Sequence, residues 1–169
     1  NMEEFKEKNR DVAFVDTPVL FKEYTTSSVI VMEYIDGYAI DDKEHLLEDG
    51  YDMNEIGSKY VDNFIKQVMD DGFFHADPHP GNVRIRDGKI VWIDMGMMGR
   101  LTERDREQIA KAVEGVAFND IGMIQDAVLA LGEFRGEPDP SQLYKDIRGL
   151  MAKYGTADMG NIDVAEVLQ

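Results

Sequence analysis

The stretch HADPHPGNVRIRDGKIVWIDMG, residues 75–96, contains two short β-branched runs that flank a tight turn. The runs are residues 83–85 and 90–93, and Asp87-Gly88 lies between them. Asp-Gly between apolar runs predicts a β-hairpin, because a type I′ turn needs positive φ at both central positions. The sequence therefore predicts a two-stranded ribbon in the middle of the chain, with polar loops at its open end.

Three polar side chains lie at the ends of this predicted ribbon. Asp77 and Asn82 are five residues apart in the Pro- and Gly-rich loop before the first strand, and Asp94 follows the second strand. The hairpin would fold Asp94 back towards Asp77 and Asn82. Carboxylate and amide oxygens suit Mg²⁺, which prefers one or two carboxylates together with phosphate oxygens and water. We expect a magnesium–nucleotide site at this end.

The order H-x-D-x-x-x-x-N, hairpin, D-x-G resembles the catalytic and metal-binding loops of protein kinase-like folds. The resemblance implies that Asp77 orients or deprotonates the attacking hydroxyl. It implies that Asn82 and Asp94 hold Mg²⁺ at the phosphates of ATP or ADP. His75 and Gly96 would support the loops that carry these ligands.

A longer set of motifs resembles the UbiB family of atypical kinases, which is linked to ubiquinone biosynthesis. The similarity spans roughly residues 12–135, and many members of that family are membrane-associated. The motifs are VIVMEYIDG at 29–37, GFFHADPHPGN at 72–82, LTERDREQIA at 101–110 and NDIGMIQDAVLALG at 119–132.

The segment before residue 38 has the pattern of a second hairpin, with arms at 19–24 and 29–34 and a turn of Thr and Ser. In a kinase-like fold it would be the last hairpin of the small lobe. Met32 would then be the gatekeeper at the back of the adenine pocket. The backbones of Glu33 and Ile35 would bind the adenine edge.

The rest of the pattern predicts an α+β fold that is mostly helical, like the large lobe of a kinase. Only the central ribbon is expected to interrupt the helices after residue 38. The predicted division is 1–37, a remnant of the small lobe with the hinge, and 38–169, the large lobe. Helices are expected within 1–10, 38–52, 53–71, 103–118, 119–131, 141–154 and 160–169, with Asn119 and Ser141 as caps and Gly72 and Gly155 as stops.

Several residues have two interpretations. His79 would either contact phosphate or only fix the loop. His75-x-Asp77-x-His79 also resembles a Zn²⁺ site, although no further His or Cys is nearby. Arg84 and Arg86 are interpreted as solvated strand ends. The loop is also close to that of small-molecule phosphotransferases of the aminoglycoside or choline type, and a nucleotide-binding pseudokinase module is a third possibility.

Composition limits the partners. The chain has 169 residues, 34 acidic against 18 basic, and a net charge of −16, which argues against nucleic-acid binding. It has no Cys, so disulfides and thiolate metal sites are excluded. No apolar run approaches the roughly 20 residues of a membrane span. We expect a cytoplasmic protein, with peripheral membrane association only in a full-length form.

Two further features refine the expected function. Only seven residues separate Asp94 from Thr102, which leaves no room for the peptide platform of a protein kinase. The lysine and glutamate of a small lobe are not recognisable before residue 19. We expect a large-lobe fragment with little or no activity by itself, whose hairpin edge would pair with the missing small lobe or another chain.

Overall fold

The computed structural model describes residues 1–132, 134 and 136–154 of the chain. These residues form an α+β structure, about half of it helical, with two small sheets. The predicted fold class is therefore confirmed at this level. The α-helices are α1 Met2–Lys8, α2 Lys43–Glu48, α3 Met53–Lys66, α4 Glu103–Phe118, α5 Ile121–Leu131 and α6 Pro140–Tyr154. The strands are β1 Val15–Asp16, β2 Tyr38–Ala39, β3 Phe73–His75, β4 Val83–Arg86, β5 Lys89–Trp92 and β6 Met98–Arg100.

The predicted central hairpin is confirmed. Strands β4 and β5 pair antiparallel, with Ile85 opposite Ile90. Asp87 and Gly88 have φ of 52° and 73°, as the type I′ turn requires. The hairpin is not an isolated ribbon, however, because the strand order is β1-β5-β4-β2. The flanking strands have two residues each, which is too short for a periodic pattern in the sequence.

A second sheet was not predicted. Strand β3 pairs antiparallel with β6, so that Phe74 lies opposite Gly99 and His75 opposite Met98. The expectation that the chain after residue 38 is helical except for the ribbon is wrong here and at β2. Three-residue strands give no alternation to detect, and the Phe73-Phe74 pair alone does not distinguish a strand from a loop.

The segment before residue 38 pairs as predicted, but loosely. Leu20 bridges Met32 antiparallel, and the Glu33 N–H donates to the Val19 carbonyl at 2.8 Å. Neither arm forms a regular strand, and Lys22–Tyr24 is a 3₁₀ turn. This hairpin belongs to neither sheet.

Helix α3 begins at the Asp52 cap and follows the predicted range to Lys66. Its last turn, Gln67–Asp71, is π-helical rather than α-helical. Gly72 ends it with φ of 57°, the left-handed conformation expected of a helix stop.

The core of the first compact unit, Asn1–Leu101, surrounds Trp92. The Trp92 ring is fully buried, packs edge-on against Phe5 and stacks on Tyr60 at 5.4 Å between centroids. Burial of large aromatic rings contributes strongly to stability. This cluster fixes α1 and α3 against strand β5. The cluster also contains Val15, Leu46, Ile56, Phe73, Val83, Ile85, Ile90 and Met95.

The second unit, Thr102–Gln169, contains α4, α5 and α6. Thr102 and Asp105 form a capping box at the start of α4. The predicted cap Asn119 is wrong, because Asn119 ends α4 in the left-handed conformation and the Asp120 carboxylate caps α5.

The predicted cap Ser141 is also wrong, since its own N–H and that of Gln142 donate to the Asp139 carboxylate at the start of α6. In both helices the capping side chain is an Asp near the predicted cap.

Gly155 and the predicted helix 160–169 lie outside the described residues. The predicted boundary at residue 37 concerns lobes rather than compact units and stays a prediction.

Candidate nucleotide and metal site

The loop between β3 and β4 is held in a tight, hydrogen-bonded form. The Ala76 N–H donates to the Met97 carbonyl at 2.9 Å, where the second sheet continues into the loop. The His79 N–H donates to the Asp77 carbonyl at 2.7 Å, and the Asn82 N–H donates to the His79 carbonyl at 2.9 Å. Backbone hydrogen bonds within the loop and to Met97 therefore fix its conformation.

Asp77 and Asn82 lie side by side in this loop. The Asn82 Nδ2 donates to the Asp77 carbonyl at 3.0 Å and to Asp77 Oδ2 at 3.2 Å. The Asp77 side chain is exposed. In the described part of the chain, nothing donates to Asn82 Oδ1 or Asp77 Oδ1. One amide oxygen and one carboxylate oxygen are left for a ligand.

Asp94 follows strand β5 at the same end of the sheet. The Ile93 N–H donates to the Asn82 carbonyl at 3.0 Å, so Asp94 comes one residue after a direct contact with Asn82. The Gly96 N–H donates to Asp94 Oδ1 at 2.8 Å. A Cβ on Gly96 would lie 3.0 Å from that same oxygen, so a larger residue here would press on the Asp94 carboxylate. Asp94 Oδ2 has no donor within the described ranges.

His75 contacts both the loop that carries Asp77 and the loop that carries Asp94. The Asp77 N–H donates to His75 Nδ1 at 3.2 Å, so the ring proton is assigned to Nε2. Nε2 donates to the Asp94 carbonyl. The ring is 1% exposed and stacks on Trp92. The predicted supporting contacts of His75 are present, and both ring nitrogens are already engaged. A Zn²⁺ site on His75 and its neighbours is therefore disfavoured.

His79 is exposed and begins the 3₁₀ turn Pro80–Asn82. Its Nδ1 accepts the Gly81 N–H at 2.9 Å, so the side chain fixes the loop. A phosphate contact through Nε2 stays a prediction.

The residues predicted to form the hinge line a cleft of about 410 Å³ in the first unit. Met32, Glu33 and Ile35 are all in its wall. The Glu33 carbonyl and the Ile35 N–H form no hydrogen bond within the residues described. These are the two groups that a kinase-like hinge would offer to an adenine edge. The other lining residues are Pro18, Tyr34, Gly37, Tyr38, Ala39, Asp42, Arg84 and Ile93.

Arg86 was interpreted as a solvated strand end, and this is wrong. Its guanidinium pairs with the Glu33 carboxylate at 2.6 Å, and its side chain is only 25% exposed. The Glu33 carboxylate also accepts the Val19 N–H at 3.0 Å. That hydrogen bond and the Arg86 contact lower the pKa of Glu33. The ion pair connects the hinge to strand β4, and Arg84 lies in the cleft wall rather than at a solvated end.

Tyr60 is a second contributor that the sequence did not reveal. Its ring stacks on Trp92 and packs against the core cluster. Its hydroxyl also donates to the Pro78 carbonyl in the loop at 2.6 Å. Burial raises the pKa of the Tyr60 hydroxyl to about 12. Tyr60 therefore remains a neutral donor that holds the loop at physiological pH.

The oxygen donors at this end fit a hard cation. Asn82 Oδ1 and Asp94 Oδ2 would leave most coordination positions to phosphate oxygens and water, as Mg²⁺ prefers. The described ranges contain no group of three His, Cys, Asp or Glu side chains that would hold a metal ion by itself. A cation here would therefore depend on a bound phosphate. None of the helices in these ranges is long and apolar enough to cross a membrane.

The family of this chain is shown by its match to a known domain. The sequence model of the ABC1 atypical kinase-like domain matches residues 1–128. The chain belongs to the ABC1 atypical kinase-like family. This confirms the predicted UbiB-type relationship, and it supports a kinase-like, ATP-binding function.

Relatives of this ABC1 chain come from bacteria and plants. A Clostridium pasteurianum protein described as "Uncharacterized protein in hydrogenase 1 5′region" is 38% identical over 169 residues, covering 100% of this chain and 32% of the relative. Protein ACTIVITY OF BC1 COMPLEX KINASE 8, chloroplastic, of Arabidopsis thaliana is 36% identical over 135 residues, covering 78% of this chain and 18% of the relative. Protein ACTIVITY OF BC1 COMPLEX KINASE 1, chloroplastic, also of Arabidopsis thaliana, is 31% identical over 144 residues, covering 85% of this chain and 21% of the relative. The chain thus spans a third or less of the length of these proteins.

Proposed function

We propose that this ABC1 chain carries the nucleotide- and metal-binding part of a UbiB-type kinase or ATPase. The proposal rests on the contacts of His75. Its ring binds both the Asp77 N–H and the Asp94 carbonyl. One buried side chain thereby sets the relative position of the proposed catalytic loop and the proposed metal loop.

ATP or ADP would bind with its adenine in the 410 Å³ cleft. The Ile35 N–H would donate to the adenine ring, and the Glu33 carbonyl would accept from its amino group. Met32 would close the back of the pocket. The Glu33–Arg86 pair supports this role, because it anchors the hinge side chain and leaves the hinge carbonyl free.

Mg²⁺ would be held by Asn82 Oδ1 and Asp94 Oδ2, and when bound it would supply charge neutralisation at the phosphates. Asp77 would accept the proton of the attacking hydroxyl or water. Asn82 donates to the Asp77 carboxylate, which orients it for that role. Gly96 and His75 would hold the Asp94 backbone in place, and His79 would fix the loop.

The acceptor would be a small hydroxyl compound or water rather than an extended peptide. Seven residues between Asp94 and Thr102 leave no peptide platform. A role in ubiquinone biosynthesis is part of the proposal and comes from the UbiB resemblance. The plant relatives are named as kinases, which supports phosphoryl transfer over binding alone.

The lobe assignment is also proposed. Residues 1–37 would be the last part of a small lobe with the hinge, and residues 38–169 the large lobe. The exposed apolar side chains of the 19–34 hairpin, such as Val29 and Ile30, support pairing with a small lobe or another chain. We propose a cytoplasmic location, with membrane association only for the full-length protein.

The proposal is tested by isothermal titration calorimetry with ATP and ADP, with and without Mg²⁺. We expect Mg²⁺-dependent binding that Asp94→Asn weakens strongly, since one carboxylate ligand is lost. Asp62→Asn on the exposed face of α3 is the matched control and should bind like wild type. Mg²⁺-dependent binding that is equal in wild type and Asp94→Asn would contradict the proposed metal site. Binding without turnover in the full-length protein would indicate the pseudokinase alternative.

A further inference from the structure

A line of buried amide side chains runs from α1 to the His75 backbone. Asn9, Asn63 and Gln67 are 5%, 1% and 0% exposed. Buried amides are costly unless every polar atom is paired. The hydrogen bonds are His75 N–H to Gln67 Oε1 at 3.0 Å, Gln67 Nε2 to Asn63 Oδ1 at 2.8 Å, Asn63 Nδ2 to Asn9 Oδ1 at 2.7 Å and Asn9 Nδ2 to the Phe5 carbonyl at 2.9 Å.

The direction of this line is fixed by groups that cannot reverse. The Trp92 indole can only donate, and it donates to Asn63 Oδ1 at 2.9 Å. At one end the His75 N–H can only donate, and at the other the Phe5 carbonyl can only accept. Each amide therefore has one orientation. A flip of any one would place a donor against a donor and an acceptor against an acceptor.

Gln67 occupies a special position in this line. It is the first residue of the π-helical turn Gln67–Asp71 that ends α3. Such turns change the direction in which a side chain points, and they are frequent at functional sites. Here the Gln67 side chain reaches the N–H of His75, the residue that contacts both loops.

We infer that Gln67 is a positioning residue for the metal and catalytic loops, held in place by Asn63 and Asn9. The ligand readout below rests on the proposed function. Without the Gln67 oxygen, the buried His75 N–H has no acceptor, so the end of β3 moves or admits water. The His75 ring is then displaced, and its hydrogen bonds to the Asp94 carbonyl and the Asp77 N–H weaken. Gln67 itself would touch neither nucleotide nor metal.

The first test compares ADP affinity with Mg²⁺ and with EDTA, in wild type, Gln67→Met and Ile56→Val. Methionine preserves the length of the side chain but removes both hydrogen bonds. Mutation of a residue that orients a metal ligand typically lowers metal affinity by about 10- to 100-fold. We expect Gln67→Met to reduce the Mg²⁺-dependent gain in affinity by at least about tenfold and to leave the affinity in EDTA unchanged.

Ile56→Val is the control, because Ile56 is buried in the same helix but lies outside the amide line. It should leave the Mg²⁺-dependent gain unchanged despite a small loss of stability. If Gln67→Met does not fold, Asn9→Ala, at the far end of the line, takes its place and should show a smaller loss of the same kind. An unchanged Mg²⁺-dependent gain in the variant that folds would overturn the inference.

A second readout needs no ligand. In wild type the ¹⁵N shifts of the His75 ring should show one tautomer with the proton on Nε2, and its amide should exchange slowly. Gln67→Met should mix the tautomers and speed exchange, whereas Ile56→Val should not. If wild type binds no nucleotide, the proposed function fails while this readout still decides the positioning role. Unchanged His75 signals in Gln67→Met would refute that role.

Discussion

Gly37 ends the proposed hinge, at a point where the backbone passes very close to strand β4. A Cβ on residue 37 would lie 2.7 Å from the Ile85 carbonyl oxygen and 3.3 Å from the Arg86 Cβ. Ordinary contacts begin at 3.4 Å, so Gly37→Ala requires a displacement of about 0.7 Å to restore one. The obstacle is backbone in the centre of a sheet, which yields less readily than a flexible side chain. We therefore expect the hinge, rather than β4, to move.

The expected cost follows from overpacking, which typically destabilises by about 1–3 kcal/mol. Chemical denaturation followed by Trp92 fluorescence measures it, because Trp92 is the single tryptophan and is fully buried in the first unit. A displaced hinge should also weaken one of the two adenine hydrogen bonds proposed for Glu33 and Ile35. At about 0.5–1.5 kcal/mol, that loss lowers ADP affinity roughly twofold to tenfold.

Gly57→Ala provides the matched control for Gly37→Ala. Gly57 lies on the exposed face of α3, and a Cβ there meets no atom within 4 Å. Alanine should stabilise this helix by about 0.5–1 kcal/mol without any effect on ADP binding. If Gly37→Ala is as stable as wild type and binds ADP equally well, the close approach of hinge and β4 is wrong.

Three further predictions concern single hydrogen bonds. Tyr60→Phe should cost about 0.5–1.5 kcal/mol in chemical denaturation, because the Pro78 carbonyl loses its donor; no loss would contradict that contact. The hydrogen bond to Asp42 raises the pKa of His45, so the NMR titration midpoint of His45 should fall towards 6.5 in Asp42→Asn. The pair's contribution to stability should be present below the ordinary histidine pKa and be lost as the pH rises through the raised value, and an unshifted midpoint would refute the pairing. Thr102→Ala should destabilise α4 by roughly 1 kcal/mol through the lost cap, as measured by thermal unfolding, and a neutral effect would argue against the capping box.

Local chemistry was sufficient to predict several elements. The Asp87-Gly88 turn depends only on two residues that tolerate positive φ, so the β4–β5 hairpin could be derived from the sequence. The Thr102–Asp105 box and the Gly72 stop are equally local. Spacing along one loop and one hairpin also placed Asp77, Asn82 and Asp94 at one end of the sheet.

Features that depend on distant partners could not be predicted. Arg86 is one of two arginines on β4, and only the folded hinge shows that it pairs with Glu33. The Tyr60 hydroxyl reaches the Pro78 carbonyl 18 residues away. Gln67 gave no signal, because a π turn has no sequence pattern of its own.

Short strands escaped prediction for a related reason. Strands β1 and β2 have two residues each and are defined by the neighbours β5 and β4. At the caps, adjacent polar residues competed. Asp120 and Asp139 accept backbone N–H groups where Asn119 and Ser141 were expected to do so. Such choices depend on where the chain enters the helix.

The most direct test of the proposed site is paramagnetic NMR with Mn²⁺ in place of Mg²⁺. Mn²⁺ and ADP together should broaden the amide resonances of Asn82, Asp94 and Gly96, while ADP alone should shift Glu33 and Ile35 without broadening. Mn²⁺ alone should have little effect, because the protein offers too few ligands without phosphate. Broadening centred elsewhere, or equal broadening without ADP, would contradict a nucleotide-dependent metal site between the hinge and the two loops.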